Sequence, residues 1–157
     1  MDEVWQDSCG MNDLSSTACV FCAIASGTGD ASLVYEDPLL IGFLDINPVN
    51  EGHLLIAPKS HVQDLADLPP ETLAAMATLA QRLAAGLRVS GLRCEGVNLF
   101  YADGEAAGQE VFHSHLHVIP RYDGDPFQIT ADWDSPPSRS TLDRHADLIR
   151  EALYSRS

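Results

Sequence analysis

The chain has 157 residues, nine lysines and arginines against 23 aspartates and glutamates, and a formal net charge of −14. At 45% hydrophobic residues it can build the core of one domain and is not a disordered chain; the scarcity of cations removes the phosphate-neutralising term on which duplex nucleic-acid binding depends. No apolar run approaches the roughly 18–20 residues of a bilayer span, Met1-Asp2-Glu3 does not begin a signal peptide, and four cysteines make no disulfide scaffold, so a soluble protein of the reducing cytoplasm, with no membrane partner, is expected.

Residues 1–17 are polar without a sustained apolar period and read as a flexible leader, with a single domain over 18–157. Ala18 to Ala25 gives a short helical turn, closed by the loop Gly27-Thr28-Gly29-Asp30. Ser32–Glu36 and Leu39–Asp45 read as antiparallel strands joined at Asp37-Pro38. Turn formers fill residues 46–52, and His53–Pro58 is a buried strand stopped by proline. Pro69-Pro70 opens a helix over Glu71–Val89, with an apolar stripe of Leu73, Met76, Leu79, Ala80, Leu83 and Leu87 that ends near Gly91. Val97–Ala102 is a strand, Asp103–Gln109 a loop and Val111–Arg121 a strand; an Asp- and Pro-rich stretch then leads to a closing helix over Leu142–Tyr154. The order β-β-β-α-β-β-α predicts an α+β fold: an antiparallel sheet of about five strands, one long helix and a C-terminal helix. No GxGxxG or GxxxxGK loop is present, so any nucleotide chemistry must use other groups.

The chemistry concentrates at His113-Ser114-His115-Leu116-His117. On a strand, alternate residues share a face, so the three imidazoles project together at intervals of roughly 6.5–7 Å. Two chemistries fit such a cluster. The imidazoles can bind a zinc ion that activates water, or one imidazole can act as a nucleophile and form a covalent intermediate. The preceding Gly104, Gly108 and Gln109 form a loop able to bring backbone N–H groups and an amide beside the histidines, as an anion site requires. Cys19-Val-Phe-Cys22 has a spacing typical of zinc or redox sites.

The run from Gly104 to Arg121 resembles the signature of the histidine triad (HIT) family of nucleotide hydrolases and transferases. Cys19-Val-Phe-Cys22-Ala-Ile24, Phe43-Leu-Asp45-Ile46-Asn-Pro, Gly52-His53 through Pro58-Lys59-Ser-His61, and Asn98 stand in the order that family uses, so the resemblance covers about residues 18–125. It implies a HIT-like fold and a hydrolase or nucleotidyl transferase that cleaves at the α-phosphorus of a purine nucleotide derivative. Dinucleoside polyphosphates and nucleoside phosphoramidates are the two substrate classes, and the loop at Gln109 leans slightly to the former.

By that resemblance His115 is the nucleophile, His117 assists the leaving group, Gln109 contacts phosphate and His53 supports the triad from a neighbouring strand. Asp45 takes the ribose, Asn98 joins the phosphate-side polar network, and Phe21, Ile24, Phe43 and Ile46 wall the base pocket. Cys19, Cys22, His61 and His113 make a closed tetrahedral set for a structural zinc, and no catalytic cofactor is required. The resemblance further implies a homodimer. A nucleotide-binding regulatory protein with incidental turnover, and a zinc hydrolase with the triad as ligands, remain as alternatives.

Overall fold

Asp37 makes the first turn: its carboxylate accepts from the backbone N–H groups of Leu39 and Leu40, each at 2.7 Å, which reverses the chain between β1 (Leu33–Glu36) and β2 (Leu40–Leu44). A computed structural model describes residues 19–155; the leader expected over 1–17 lies outside them. The chain divides into two compact units, one ending at Pro126 and the other beginning at Phe127.

In the first unit, a short helix α1 (Val20–Ala25) precedes the hairpin, and β3 (Leu54–Pro58), α2 (Pro70–Val89), β4 (Gly96–Tyr101) and β5 (Leu116–Arg121) follow. The sheet is antiparallel throughout, in the order β1-β2-β3-β5-β4. Five strands, one long helix and a C-terminal helix bear out the expected α+β fold. The period of two sorts the strands into two faces. Leu40, Leu54, Ile56, Leu116 and Val118 pack with Met76, Leu79, Ala80 and Leu87 of α2. Ile41, Phe43, Leu55 and Ala57 pack with Phe21 and Ile24 of α1. Each fully buried leucine or isoleucine here contributes roughly 1.5–3 kcal/mol. Thr72, and not Leu73, faces the core at the start of α2, which rotates the first turn of the predicted stripe by one position.

The strand expected over Val111–Arg121 begins only at Leu116. The reason lies in its neighbour. β3 pairs with β5 from Leu54↔Val118 to Ile56↔Leu116 and then reaches Pro58, which has no N–H and whose carbonyl is bonded at 2.8 Å by the His113 ring. The backbone at Ser114 instead donates to Val62 O at 2.6 Å.

Gly52 introduces β3. Its φ is +86°, and an added Cβ would lie 2.8 Å from Leu92 Cδ1 and 3.1 Å from Leu87 Cδ2, so the close approach of the helix end to this turn requires glycine.

In the second unit, helix α3 spans Arg139–Tyr154. It starts three residues before the expected Leu142 because Ser138 caps it, its Oγ accepting from Thr141 N at 3.2 Å. None of its residues is buried. Among the described residues, no helix is long and apolar enough to cross a membrane.

Candidate active site

On the α1 side of the sheet, a cavity of about 900 Å³ opens. Phe21 and Ile24 of α1 and Phe43 of β2 line it and are at the same time members of the buried cluster beneath, so the three are both wall and core. Ile46 lines it only at the rim, 91% exposed. His53, His115, His117, Asp45 and Phe100 line it as well, with the His115 ring edge-on to Phe21 at 5.1 Å. Alternation along β5 produces this arrangement. Leu116 and Val118 enter the core against α2, while His115 and His117 face the cavity. Irregular backbone at 113–115 preserves the alternation: Ser114 points the other way, its hydroxyl accepting from Tyr101 OH at 2.8 Å.

The hydrogen bonds assign the ring protons. His115 Nδ1 lies 2.7 Å from the His113 carbonyl, an acceptor only, so Nδ1 carries the hydrogen and Nε2 keeps its lone pair. His53 Nδ1 accepts from the Val49 N–H at 3.2 Å, which leaves the proton of a neutral ring on Nε2; that nitrogen is 2.9 Å from His117 Nδ1. His117 therefore accepts at Nδ1 and carries its own hydrogen on Nε2. The rings of His115 and His117 are 4.8 Å apart. Asp45 Oδ2 stands 3.5 Å from His53 Nδ1, beyond hydrogen-bond reach, and Asp45 Oδ1 accepts from Asn47 N at 2.8 Å.

Burial keeps these imidazoles neutral. It pushes His117 down to about 4, helped by the His115 and His53 rings and opposed by the Asp45 carboxylate. His115 is lowered by the same desolvation, against the pull of the His113 carbonyl and Asp45. His53 is lowered too, by burial first, with Asp45 pulling the other way. Among the described residues, the cavity lining contains Asp30, Asp45 and Glu110 and no lysine or arginine.

His113 leaves the cavity. Its Nε2–H donates to Pro58 O at 2.8 Å, so its Nδ1 lone pair is free for the thiols: 3.5 Å from Cys19 Sγ and 3.6 Å from Cys22 Sγ. Cys22 Sγ is 3.3 Å from His61 Nδ1, and all four donor atoms lie within 4.8 Å of one another. Zinc bonds of roughly 2.3 Å to sulfur and 2.0–2.1 Å to nitrogen at tetrahedral angles place S and N about 3.6 Å apart. The three observed separations match that edge, and a set of two thiolates and two neutral imidazoles fits a closed zinc site. Burial, with the His61 and His115 rings, pushes His113 down to about 4, which keeps its nitrogen lone pair available. The triad therefore does not converge on one metal: His113 joins the cysteines and His115 and His117 the cavity.

Two expected residues stand elsewhere. Gln109 is buried, but its amide braces its own loop: Oε1 accepts from Gly104 N at 2.7 Å, and Nε2 donates to Gln63 O at 3.2 Å and Val111 O at 3.3 Å. With both ends of the amide committed to backbone, the structure does not bring it to the cavity. Asn98 shares a face of β4 with Phe100 but bonds through Oδ1 to Arg121, outside the lining. Sequence reasoning missed Val49, Asn50, Phe100 and Glu110. Only Phe100 had a signal, the alternation of β4 from Asn98.

The HIT domain profile matches residues 26–124. The chain is similar to a zinc-bound histidine triad family protein of Mycobacterium smegmatis, at 46% identity over 90% of this chain and 99% of that one, with a TM-score of 0.69. It is 42% identical over 137 residues, 86% of this chain and 92% of the relative, to a HIT-like protein of Mycobacterium tuberculosis. It is also 39% identical over 107 residues, 68% of this chain and 54% of the relative, to the adenylylsulfatase HINT3 of Arabidopsis thaliana.

Proposed function

The chain belongs to the HIT domain family, and from that premise we propose that it hydrolyses a purine nucleotide derivative at the α-phosphorus through a covalent nucleotidyl-His115 intermediate. The observation that carries this reading is the 2.7 Å bond between His115 Nδ1 and the His113 carbonyl, which leaves Nε2 as a lone pair in the family's nucleophile position. That one relative is named an adenylylsulfatase supports the choice of a nucleotide.

In this mechanism Phe21, Ile24 and Phe43 enclose the base, with Ile46 closing the rim, and Asp45 accepts from the ribose hydroxyls. His115 Nε2 attacks phosphorus in line as the bond to the leaving group breaks. His117 Nε2–H donates to the oxygen or nitrogen on which charge develops, a neutral imidazole acting as hydrogen-bond donor. Gln109 holds the Gly104–Val111 loop, of which Gly108, Glu110 and Val111 line the cavity, and the backbone N–H groups of Glu110 and Val111 are the candidates to meet phosphate. Water then supplies both the proton that a departing amine takes and the hydroxide that displaces His115, so the protein ends with the protons it began with. Nucleotidyl transfer differs only in the second nucleophile.

Between the two substrate classes, the lining favours phosphoramidates. A polyphosphate chain needs cations, whereas Asp30, Asp45 and Glu110 favour an amine. The Gln109 amide, which argued for the other class, is engaged with backbone. Cys19, Cys22, His61 and His113 would hold a zinc that ties the start of α1 to the segment before β5, and with four protein ligands it would keep no open position for chemistry. The edge strand β4, with Leu99 and Phe100 about half exposed, offers the surface for a homodimer.

The test is to mix the protein with adenosine 5′-phosphoramidate, quench in base and analyse for an adenylyl adduct by mass spectrometry. An adduct lost in His115→Asn is the expected result. Tight nucleotide binding with neither adduct nor turnover would favour a regulatory binding protein instead.

A further inference from the structure

Asn50 is a polar side chain only 5% exposed, itself outside the cavity lining although its neighbours Ile46, Asn47 and Val49 belong to it. Its Nδ2 group donates twice, to Pro120 O and to Asp125 Oδ2, both at 2.9 Å. Asp125, whose side chain is 1% exposed, is gripped in turn by Arg121 through Nε at 2.5 Å and Nη2 at 2.7 Å. The side chain of Asn50 thus fastens the 46–52 loop to the end of β5 and the turn after it. Its backbone closes the other side, Asn50 O accepting from His53 N at 3.1 Å.

What this anchorage positions is the preceding peptide. The Val49 N–H is the group that points at His53 Nδ1 and compels that nitrogen to be the acceptor. A competing arrangement stands close by. With a proton on Nδ1, His53 would attract the Asp45 carboxylate, which a small approach from 3.5 Å would bring into a hydrogen bond; its Nε2 would become the acceptor, and His117 would turn its Nδ1–H toward it. His117 Nε2 would then present a lone pair to the cavity in place of a hydrogen. Both rings stay neutral in either form; one proton on each moves from Nε2 to Nδ1. The Val49 N–H selects between the two states, because a backbone donor cannot face an N–H.

We infer that Asn50 is a positioning residue which, through Val49 and His53, fixes the tautomer of His117 and so keeps a hydrogen-bond donor aimed at the reacting phosphoryl group. The function of the donor rests on the hydrolase reading above; the tautomer itself does not.

The experiment is ¹⁵N NMR of histidine-labelled full-length protein together with steady-state kinetics on adenosine 5′-phosphoramidate. In the wild type, His53 and His117 should both be protonated at Nε2 and bare at Nδ1. In Asn50→Ala both rings should shift toward the Nδ1–H form, and kcat should fall about tenfold or more, toward the 10²–10³ loss typical of removing one donor to a developing charge, with KM little changed. Asp125→Asn retains an oxygen to accept from Asn50 but loses the charge pair with Arg121. It should melt earlier and keep the wild-type tautomers, which separates positioning from stability. If Asn50→Ala does not fold, Asn50→Ser, with one donor for two acceptors, should show a mixture of the two forms. Wild-type tautomers and kcat in the Asn50 variants, or the Nδ1–H form in the wild type, would overturn the inference. Absence of turnover in the wild type with the tautomers as described would instead count against the hydrolase reading alone.

Discussion

Replacing Gly52 by alanine tests whether the turn before His53 is fixed by packing or merely by backbone preference. Two costs add. The residue sits at φ +86°, where an L side chain costs about 1–2 kcal/mol. The new methyl would also stand 2.8 Å from Leu92 Cδ1 and 3.1 Å from Leu87 Cδ2. Leu92 is 41% exposed and can swing away, but Leu87, at 5%, is held in the α2 core; overpacking of that kind costs about 1–3 kcal/mol. The sum is about 2–5 kcal/mol. Gly91 supplies the control: its φ is +90°, and an added Cβ meets nothing within 4 Å. Gly91→Ala therefore carries the backbone cost alone, and the stabilising loss of unfolded-state freedom is common to both variants and cancels in their difference. In urea denaturation, with a slope of about 2 kcal/mol per molar, Gly52→Ala should have a midpoint about 0.5–1.5 M below that of Gly91→Ala. It should also lose more activity, since His53 follows directly. Equal midpoints for the two variants would refute the packing argument, whatever their distance from wild type.

Stability should fall with acid, and His117 contributes to that fall beside His113, which burial lowers to the same extent. For His117 the ordinary value is 6.5 and burial lowers it to about 4 in the fold; below 6.5 the unfolded chain takes up a proton that the folded one refuses. The stabilisation is complete above 6.5, declines as pH falls toward 4 and changes no further below that, an effect of at most about 3 kcal/mol for this one group. His117→Asn should reduce, without abolishing, the dependence of unfolding free energy on pH between 6.5 and 4, and curves parallel to wild type would contradict the assignment. Removal of metal with a chelator, or Cys19→Ser, should lower both the zinc content and Tm; a metal-free protein that melts with the wild type would exclude a stabilising site at Cys19, Cys22, His61 and His113.

The local rules in the sequence predicted most of the sheet because its two faces are filled by strict alternation. Leu54 and Ile56 against Leu55 and Ala57 can be read from period two alone. The same rule placed His115 and His117 on one face, although the strand is regular only from Leu116, since Pro58 ends its partner and no local signal in 111–115 reports that. The direction of the Gln109 amide was not legible, because its acceptors include Gln63 O, 46 residues away. Nor was the role of Asn50: its acceptors at Pro120 and Asp125 lie 70 and 75 residues along the chain, and in sequence it is one more turn former between Pro48 and Gly52. Residue type and spacing identify groups that react; they do not identify groups that aim others, whose partners exist only after the chain has closed on itself.

Helix α1 and the residue that precedes it place the cysteines and the pocket wall in alternation within six positions: Cys19, Phe21, Cys22, Ile24. Phe21 touches the rings of both His113 and His115 edge-on, at 5.8 and 5.1 Å. A segment this short opens as a unit, so one fluctuation that lifts it from the sheet bares the thiols and removes the wall together. The backbone amides of Ala23 and Ser26, which donate to Cys19 O and Cys22 O at 3.1 and 3.0 Å, report that single event through their hydrogen exchange. Anything that secures the thiols through this segment thereby strengthens the binding of whatever lies against Phe21, and a molecule lodged against Phe21 stabilises the thiol site by the same free energy.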